Sequence, residues 1–179
     1  MKQNKGFTLV EILVVLGIMA ILAASSAAGF SRISYANFKK VAGKVNNEIS
    51  DCRAVCMSHA APAYTYIYNR GGDIYLYSTT NGKMNASDLS SANIERIASS
   101  DVTISYVEAN DATNTYKTLG DGEFLEISFK LNGSFRTSAP NGEVGNHTKF
   151  YKKIKIKKNN GGSRIITMIQ ETGKHFMSE

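Results

Sequence analysis

The chain begins with a long apolar run that contains a single charge. From Phe7 to Phe30 there are 24 residues, and Glu11 is the only charged one. A helix of that length covers about 36 Å, which is enough to cross the hydrocarbon core of a bilayer. The pattern therefore predicts a membrane-spanning helix over residues 7–30. A carboxylate costs about 2.5–3.5 kcal/mol at the centre of such a helix and less near its end, so Glu11 needs a separate explanation.

After residue 30 the apolar positions follow the period of an amphipathic helix. They recur at intervals of three and four, while charged and polar residues fall on the opposite side. The apolar positions are Phe38, Val41, Val45, Ile49, Cys52 and Cys56. Because the residue before a proline disfavours helical geometry, Pro62 marks the end of this pattern. We expect an amphipathic continuation of the helix over residues 31–61.

Beyond Pro62 the pattern becomes typical of β-strands. Short runs rich in β-branched and aromatic residues are separated by Gly, Asn and Ser. The predicted strands are 63–69, 74–79, 102–107, 124–131, 150–158 and 164–170. Glycine-containing turns predict hairpins for the first pair and for the last pair, and a short helix is expected over 87–98 with Ser87 or Asp88 as its cap. The predicted fold is α+β, with the long N-terminal helix packed on an antiparallel β domain of residues 62–179.

Two cysteines fall on the predicted helix. Cys52 and Cys56 are four residues apart and would lie on one side, one turn apart. A disulfide between adjacent turns is geometrically awkward, so we interpret both as small buried side chains, and the sequence leaves their redox state open. His59 follows, but no further ligand stands at metal spacing, so no metal site is predicted.

Positive charge is concentrated near the C-terminus. The net charge is +6, and residues 149–174 hold eight basic residues against one acidic residue. Lysines alternate with isoleucines at residues 153–157, which places Lys153, Lys155 and Lys157 on one outer face of a strand. Such a face suits phosphate groups, but lysines also protect edge strands from pairing with other sheets.

The remaining polar residues form no catalytic motif. His59, His147 and His175 are scattered, and no nucleophile or phosphate-binding motif is present. Asp111, Asp121 and Glu123 lie in one stretch that has the residue types of a calcium site, but a solvated loop is the favoured interpretation. We therefore predict that the chain is not an enzyme and needs no cofactor.

The N-terminus favours an exported chain whose first residues stay in the cytoplasm. Lys2 and Lys5 precede the apolar run, and basic flanks remain on the cytoplasmic side. A secretory signal peptide also has a basic start and small residues near a cleavage site. However, the run is about twice as long as the usual apolar region of a signal peptide and contains Glu11. We therefore expect a single-pass membrane protein with its C-terminal domain outside the cytoplasm.

Residues 5–11, Lys-Gly-Phe-Thr-Leu-Val-Glu, followed by the apolar run, resemble the signal sequence of type IV prepilins and type II secretion pseudopilins. The resemblance implies that residues 1–6 are a leader and that a prepilin peptidase cuts between Gly6 and Phe7 and methylates the new amine of Phe7. It also implies that Glu11 meets the N-terminal amine of a neighbouring subunit during filament assembly. The implied partners are the peptidase, the cytoplasmic membrane and other pilin or pseudopilin subunits.

The C-terminal half narrows the resemblance. Residues 127–133 and 164–174 resemble the β domain of H-type minor pseudopilins and FimT-like minor pilins. Some FimT-like pilins are thought to bind DNA, and the residues here that suit such contact are Lys153, Lys155, Lys157, Arg164 and Lys174. Lys174 stands where many members have arginine, which weakens any function that depends on it.

The sequence therefore predicts a minor subunit of a type IV pilus or of a type II secretion pseudopilus. One alternative is a DNA-binding minor pilin of a competence pilus. Another is a membrane-tethered extracytoplasmic β domain with a binding or enzymatic role, in which Glu11 would be dispensable.

Overall fold

The computed structural model describes residues 8–58, 62–91, 94–109, 111–136, 150–159 and 161–179, without the side chains of residues 23–36 and 86. The chain divides into two units, Met1–Asn37 and Phe38–Glu179. The helices and strands of the described residues are α1 (Leu9–Ser58), β1 (Tyr64–Arg70), β2 (Asp73–Thr79), α2 (Ala86–Ser91), β3 (Glu95–Ala98), β4 (Val102–Glu108), β5 (Lys117–Thr118), β6 (Phe124–Ser128), β7 (Tyr151–Lys158), β8 (Ser163–Met168) and β9 (His175–Ser178).

Helix α1 carries the predicted buried stripe in the second unit. The six apolar positions at intervals of three and four, from Phe38 to Cys56, are each no more than 8% exposed. The exposed positions between them include Lys39, Lys40 and Asn47. Helix α1 continues to Ser58, and residues 59–61 at the predicted end lie outside the described residues.

Two antiparallel sheets face this stripe. The first sheet has the strand order β3-β2-β1-β6, and the second has the order β5-β4-β7-β8-β9. Isoleucines and leucines from both sheets join the α1 stripe in one core, among them Ile67, Leu125, Ile154 and Ile166. The predicted α+β class is therefore confirmed, and so are the two predicted hairpins, β1–β2 and β7–β8.

A smaller core lies on the outer face of the first sheet. Tyr64, Tyr66 and Tyr68 alternate with core residues along β1 and pack against Leu89 of α2 and Ile94. The hydroxyl group of Tyr66 accepts a hydrogen bond from the Met84 N–H at 2.9 Å, which holds the loop before α2 against the sheet. Both faces of β1 are buried for this reason.

The predicted helix over 87–98 is wrong in its second half. Helix α2 spans only Ala86–Ser91, and Glu95–Ala98 form strand β3 on the edge of the first sheet. Strand β3 pairs with β2, and Arg96 forms an ion pair with Asp73 at 2.9 Å. These contacts outweigh the weak helical preference of residues 95–98. The predicted cap is also displaced: Asp88 lies inside the first turn, where its carboxylate accepts a hydrogen bond from the Asn85 N–H.

The C-terminal strands differ most from the predictions. Strand β6 ends at Ser128, because Lys130–Ser134 form a turn closed by hydrogen bonds and Gly133 adopts a positive φ of 78°. The short strands β5 and β9 were not predicted. A turn through Gly173, which has a φ of 63°, brings β9 back along β8.

Candidate functional site

The first turn of α1 holds Glu11 in a recognisable capping pattern. The Glu11 N–H donates to the hydroxyl oxygen of Thr8 at 3.3 Å and to the Thr8 carbonyl oxygen at 3.1 Å. Thr-x-x-Glu is the spacing of a capping box, in which a threonine side chain satisfies an unpaired N–H of the first helical turn. A carboxylate in the first turn also interacts favourably with the helix dipole. Glu11 is therefore compatible with an apolar helix because it stands at the helix start.

Apolar side chains surround Glu11 on all sides of the helix. The large apolar residues from Leu9 to Leu22 are all more than half exposed, and Glu11 is exposed among them. The predicted leader, residues 1–6, and Phe7 after the predicted cut lie outside the described residues. So do the side chains of residues 23–30 in the predicted membrane span. Among the described residues, no helix is both long and apolar enough to cross a membrane.

The three alternating lysines share one face of the second sheet. Ile154 and Ile156 are fully buried, and Lys153, Lys155 and Lys157 point to the other side. Their cross-strand neighbours on β8 are Thr167, Ile165 and Ser163. The Lys155 ammonium lies 5.3 Å from the centre of the Tyr116 ring, within cation–π range. Among the described residues, no carboxylate forms an ion pair with any of the three lysines.

The position of this strand corrects one interpretation. Strand β7 lies between β4 and β8, with all its hydrogen-bonding groups inside the sheet, so its lysines do not protect an edge. We call these three residues, Lys153, Lys155 and Lys157, the lysine ridge.

Arg164, another predicted cation, does not join the lysine ridge. It is paired across the ladder with Ile156, so its side chain lies on the face of the sheet opposite the three lysines. Its guanidinium group forms an ion pair with Glu179 at 2.5 Å. Lys174 is exposed in the turn before β9. Of the five residues predicted to contact nucleic acid, Arg164 is thus separated from the lysine ridge by the sheet.

Both cysteines are buried free thiols at the end of α1. The Cys56 sulfur accepts a hydrogen bond from the Ala63 N–H at 3.2 Å. The hydrogen bond shared with Cys56, together with burial, raises the pKa of the Cys52 thiol. Their interpretation as small buried side chains is confirmed, since each is no more than 4% exposed.

The acidic residues of the predicted loop each bind a different turn. Asp111 accepts hydrogen bonds from Thr113 and Thr115, which lower the pKa of its carboxyl group. Asp121 accepts from the Gly71 N–H and Glu123 from the Gly120 N–H. Within the part of the chain that the structure describes, no three potential metal ligands form a group.

Sequence comparison places the N-terminus in a known class. Residues 1–27 match the family model described as the prokaryotic N-terminal methylation motif, which is the motif of type IV prepilins. The chain carries this N-terminal methylation motif. The match confirms the recognition made from residues 5–11.

The remaining comparisons add little to the prepilin motif. No curated protein matches the chain. A crystal structure of the type IV minor pilin FimU from Pseudomonas aeruginosa is similar, with 12% sequence identity over 79% of this chain and 92% of that one and a TM-score of 0.42. A likeness this weak assigns no function or partner to the chain.

The sequence interpretation of the N-terminus missed the capping role of Thr8. Glu11 was explained only by a partner in a neighbouring subunit, although Thr-x-x-Glu before an apolar run is itself a sequence signature of a helix start. Residues 8–11 thus cap the start of α1 within a single chain, without a contact from a second subunit.

Proposed function

We propose that the chain is a minor subunit of a type IV filament, either a type IV pilus or a type II secretion pseudopilus, and that it acts without catalysis. The observation that carries the proposal is the match of residues 1–27 to the methylation motif, a segment that contains Gly6, Phe7 and Glu11. The preference for a minor subunit rests on the resemblance of the β domain to H-type pseudopilins and FimT-like pilins.

In this proposal the chain inserts with residues 1–6 in the cytoplasm, and a prepilin peptidase cuts between Gly6 and Phe7. A glycine before the cut has no Cβ, so the backbone can adopt the extended conformation that a protease cleft requires. The new amine of Phe7 is then methylated, and the helix stays anchored in the membrane until assembly.

Glu11 supplies the charge for assembly. An isolated carboxylate is costly in an apolar environment. When it is paired with a cation, the attraction between the two charges offsets part of the cost of removing them from water. The N-terminal amine of a neighbouring subunit would be that cation. A glutamate that is exposed among apolar side chains of α1 is placed to make such a pair between helices.

The deciding experiment compares the mature N-terminus in two hosts. The full chain is purified from membranes of cells with and without prepilin peptidase, and its intact mass and first residue are measured. We expect a start at N-methylated Phe7 that disappears without the peptidase. A start at Met1 in both hosts, or a cut near Ala28, would contradict the proposal and favour a tethered or secreted β domain.

The variant Glu11→Ala separates a filament subunit from a simple membrane anchor. A filament subunit should still be cleaved after Gly6 but should assemble poorly, whereas an anchored enzyme or binding domain should keep its activity and location. Immunoblots of sheared filaments and membranes measure the difference.

Binding of DNA is a second candidate function, and the lysine ridge is the observation that favours it. Three cations that pair with no carboxylate of the described residues, one of them within cation–π range of an aromatic ring, suit a phosphate backbone. Replacing Lys153, Lys155 and Lys157 by glutamine should then weaken DNA binding, measured by fluorescence anisotropy. It should also reduce the slope of log K against log salt by about 2–3, since each phosphate contact contributes about 0.7–0.9.

A matched control is available on α1. Lys39 and Lys40 are exposed on helix α1, whereas the lysine ridge is on strand β7. Their replacement by glutamine should leave the salt slope nearly unchanged. Equal effects of the two sets of substitutions would show that only net charge matters and would reject a specific DNA site.

A further inference from the structure

Strand β9 is the last strand of the second sheet, and in the described part of the chain one row of its backbone groups pairs with no strand. The Ile169 N–H donates to the Lys174 carbonyl at 2.8 Å, which sets the alternation of the β8–β9 ladder. By that alternation, the N–H groups of Phe176 and Ser178 point to β8. Those of His175 and Met177 point outward, together with their carbonyl groups. The described residues place no further strand against this edge.

The three other sheet edges of the described residues are protected. Strand β5 has only two residues, and its Lys117 is paired with Glu108. Strand β3 carries two charged residues, Glu95 and Arg96, both in ion pairs. Strand β6 is buried along most of its length. Short length, charge and cover are the usual means by which proteins prevent a sheet edge from pairing.

Strand β9 is as short as β3, but within the described residues it has neither the charge nor the cover of the other edges. Its four residues, His175–Ser178, include no lysine, proline or carboxylate. Phe176 is 53% exposed and Met177 is 38% exposed, and they lie on opposite faces because side chains alternate along a strand. A strand added here would gain backbone hydrogen bonds and an apolar contact on each face.

Charge determines which kind of strand fits. Residues 149–174 carry a net charge of +7, and the exposed Lys174 directly precedes β9. Two copies joined edge to edge would bring two such basic segments together, which disfavours self-pairing. An incoming segment with negative charge would be attracted instead, most strongly at low salt.

We propose that β9 is a docking edge that accepts an extended, acidic segment of another protein as a sixth strand of the second sheet. The segment would alternate apolar side chains with acidic ones, so that its apolar side chains contact Met177 on one face and a carboxylate on the other face reaches Lys174. The inference concerns this edge alone and does not depend on cleavage at Gly6.

The test uses the full chain in detergent micelles and a fluorescent peptide of alternating valine and glutamate. Fluorescence anisotropy at low salt should show binding. The variant Met177→Pro removes one outward N–H without removing an N–H that bonds β8, so it should weaken binding at least about tenfold. The matched variant Met177→Leu keeps the N–H and should bind as the native chain does. The midpoint of urea unfolding checks that both variants are folded.

Two further peptides test the proposal without altering the protein. A peptide with N-methyl groups on alternate backbone nitrogens keeps its charge but cannot complete the ladder, and a valine–lysine peptide reverses the charge. Both should bind at least about tenfold more weakly than the acidic peptide. Equal binding of either one, or no binding of the acidic peptide at millimolar concentration, overturns the proposal. Sedimentation that shows a dimer dissolved by Met177→Pro also overturns it, in favour of a second copy.

Discussion

At the scale of single residues, the contact between Gly173 and Gly133 is the least tolerant of change. Gly173 has a φ of 63°, and a Cβ built on it would lie 1.7 Å from the Gly133 carbonyl oxygen. Gly173→Ala should therefore lower the free energy of unfolding by about 3 kcal/mol or more, since the turn must move as well as adopt a strained backbone. Urea unfolding of the full chain measures the change.

Gly71 provides the matched control for this prediction. Its φ of 62° is nearly the same, but a Cβ there would meet nothing within 4 Å. Gly71→Ala should cost only the backbone term, about 1–2 kcal/mol. If the two variants lose equal stability, the close approach of Gly173 to Gly133 contributes nothing and the prediction is wrong.

Glu126 is the most unusual charged residue of the described chain. It is 4% exposed on the outer face of the first sheet, and its partner Lys83 lies 3.3 Å away. Burial raises the pKa of its carboxyl group above the ordinary value near 4.5, although Lys83 opposes the shift. The folded chain therefore binds this proton more tightly than the unfolded chain does. The contribution to stability falls as the pH rises from about 4.5 through the raised pKa.

The variant Glu126→Gln should remove this pH dependence. Compared with the native chain, it should gain relative stability as the pH rises from 4.5, because an amide has no charge to desolvate. Thermal unfolding at a series of pH values measures the difference. With Glu126 retained, Lys83→Gln should make the loss of stability with rising pH steeper, because Lys83 no longer lowers the pKa of the Glu126 carboxyl group. A pH-independent difference between Glu126→Gln and the native chain would contradict the assignment.

At the scale of elements, the buried stripe of α1 holds the two sheets together. Ile49 is fully buried in that stripe, and Asn47 is exposed two residues before it. Ile49→Ala should cost about 2–5 kcal/mol of unfolding free energy, because it leaves a cavity between helix and sheets. Asn47→Ala, on the solvent side, should change stability by less than about 0.5 kcal/mol. Denaturant titration of both variants tests whether α1 is part of the core.

The elements that the sequence predicted well are those with a strong local pattern. The stripe from Phe38 to Cys56 and the hairpins β1–β2 and β7–β8 follow from periodicity and turn residues alone. Strand β3 escaped prediction because its pairing with β2 and the Arg96–Asp73 ion pair connect residues distant in sequence. Strand β9 escaped because its four residues form a strand only when the Gly173 turn returns them to β8.

The same distinction applies to the candidate sites. Period-2 alternation was sufficient to place Lys153, Lys155 and Lys157 on one face. It could not place Arg164, because the face that an arginine occupies depends on the register between β7 and β8, which pairs it with Ile156. Nor could it place β7 inside the sheet, since strand order is a property of the whole domain.

At the scale of the whole molecule, substitution can separate the proposed assembly role of Glu11 from its place in the capped helix start. Glutamine at the same position retains the spacing of a capping box but carries no charge. If assembly requires the charge, Glu11→Gln should be cleaved normally and yet be depleted in sheared filaments, as Glu11→Ala is expected to be. Quantitative immunoblots of the filament and membrane fractions measure this ratio.

The companion variant Thr8→Ala removes the cap and keeps the charge. Loss of a threonine cap costs about 1 kcal/mol of helix stability, so assembly should fall only slightly. A strong defect in Thr8→Ala together with normal assembly of Glu11→Gln would show that the helix start, not the charge, governs assembly.

The hydrogen bonds of Arg53 have a consequence for the order of folding. From α1, its guanidinium group donates to the Gly133 carbonyl at 3.1 Å and to the Thr172 carbonyl at 3.0 Å, across 80 and 119 residues of chain. Contacts of such long sequence separation close late and slow the folding of a domain, in contrast to helical bundles of similar size. A ribosome must therefore synthesise Thr172 before Arg53 can join its three segments, and until then the apolar stripe of α1 has no finished sheet to cover it.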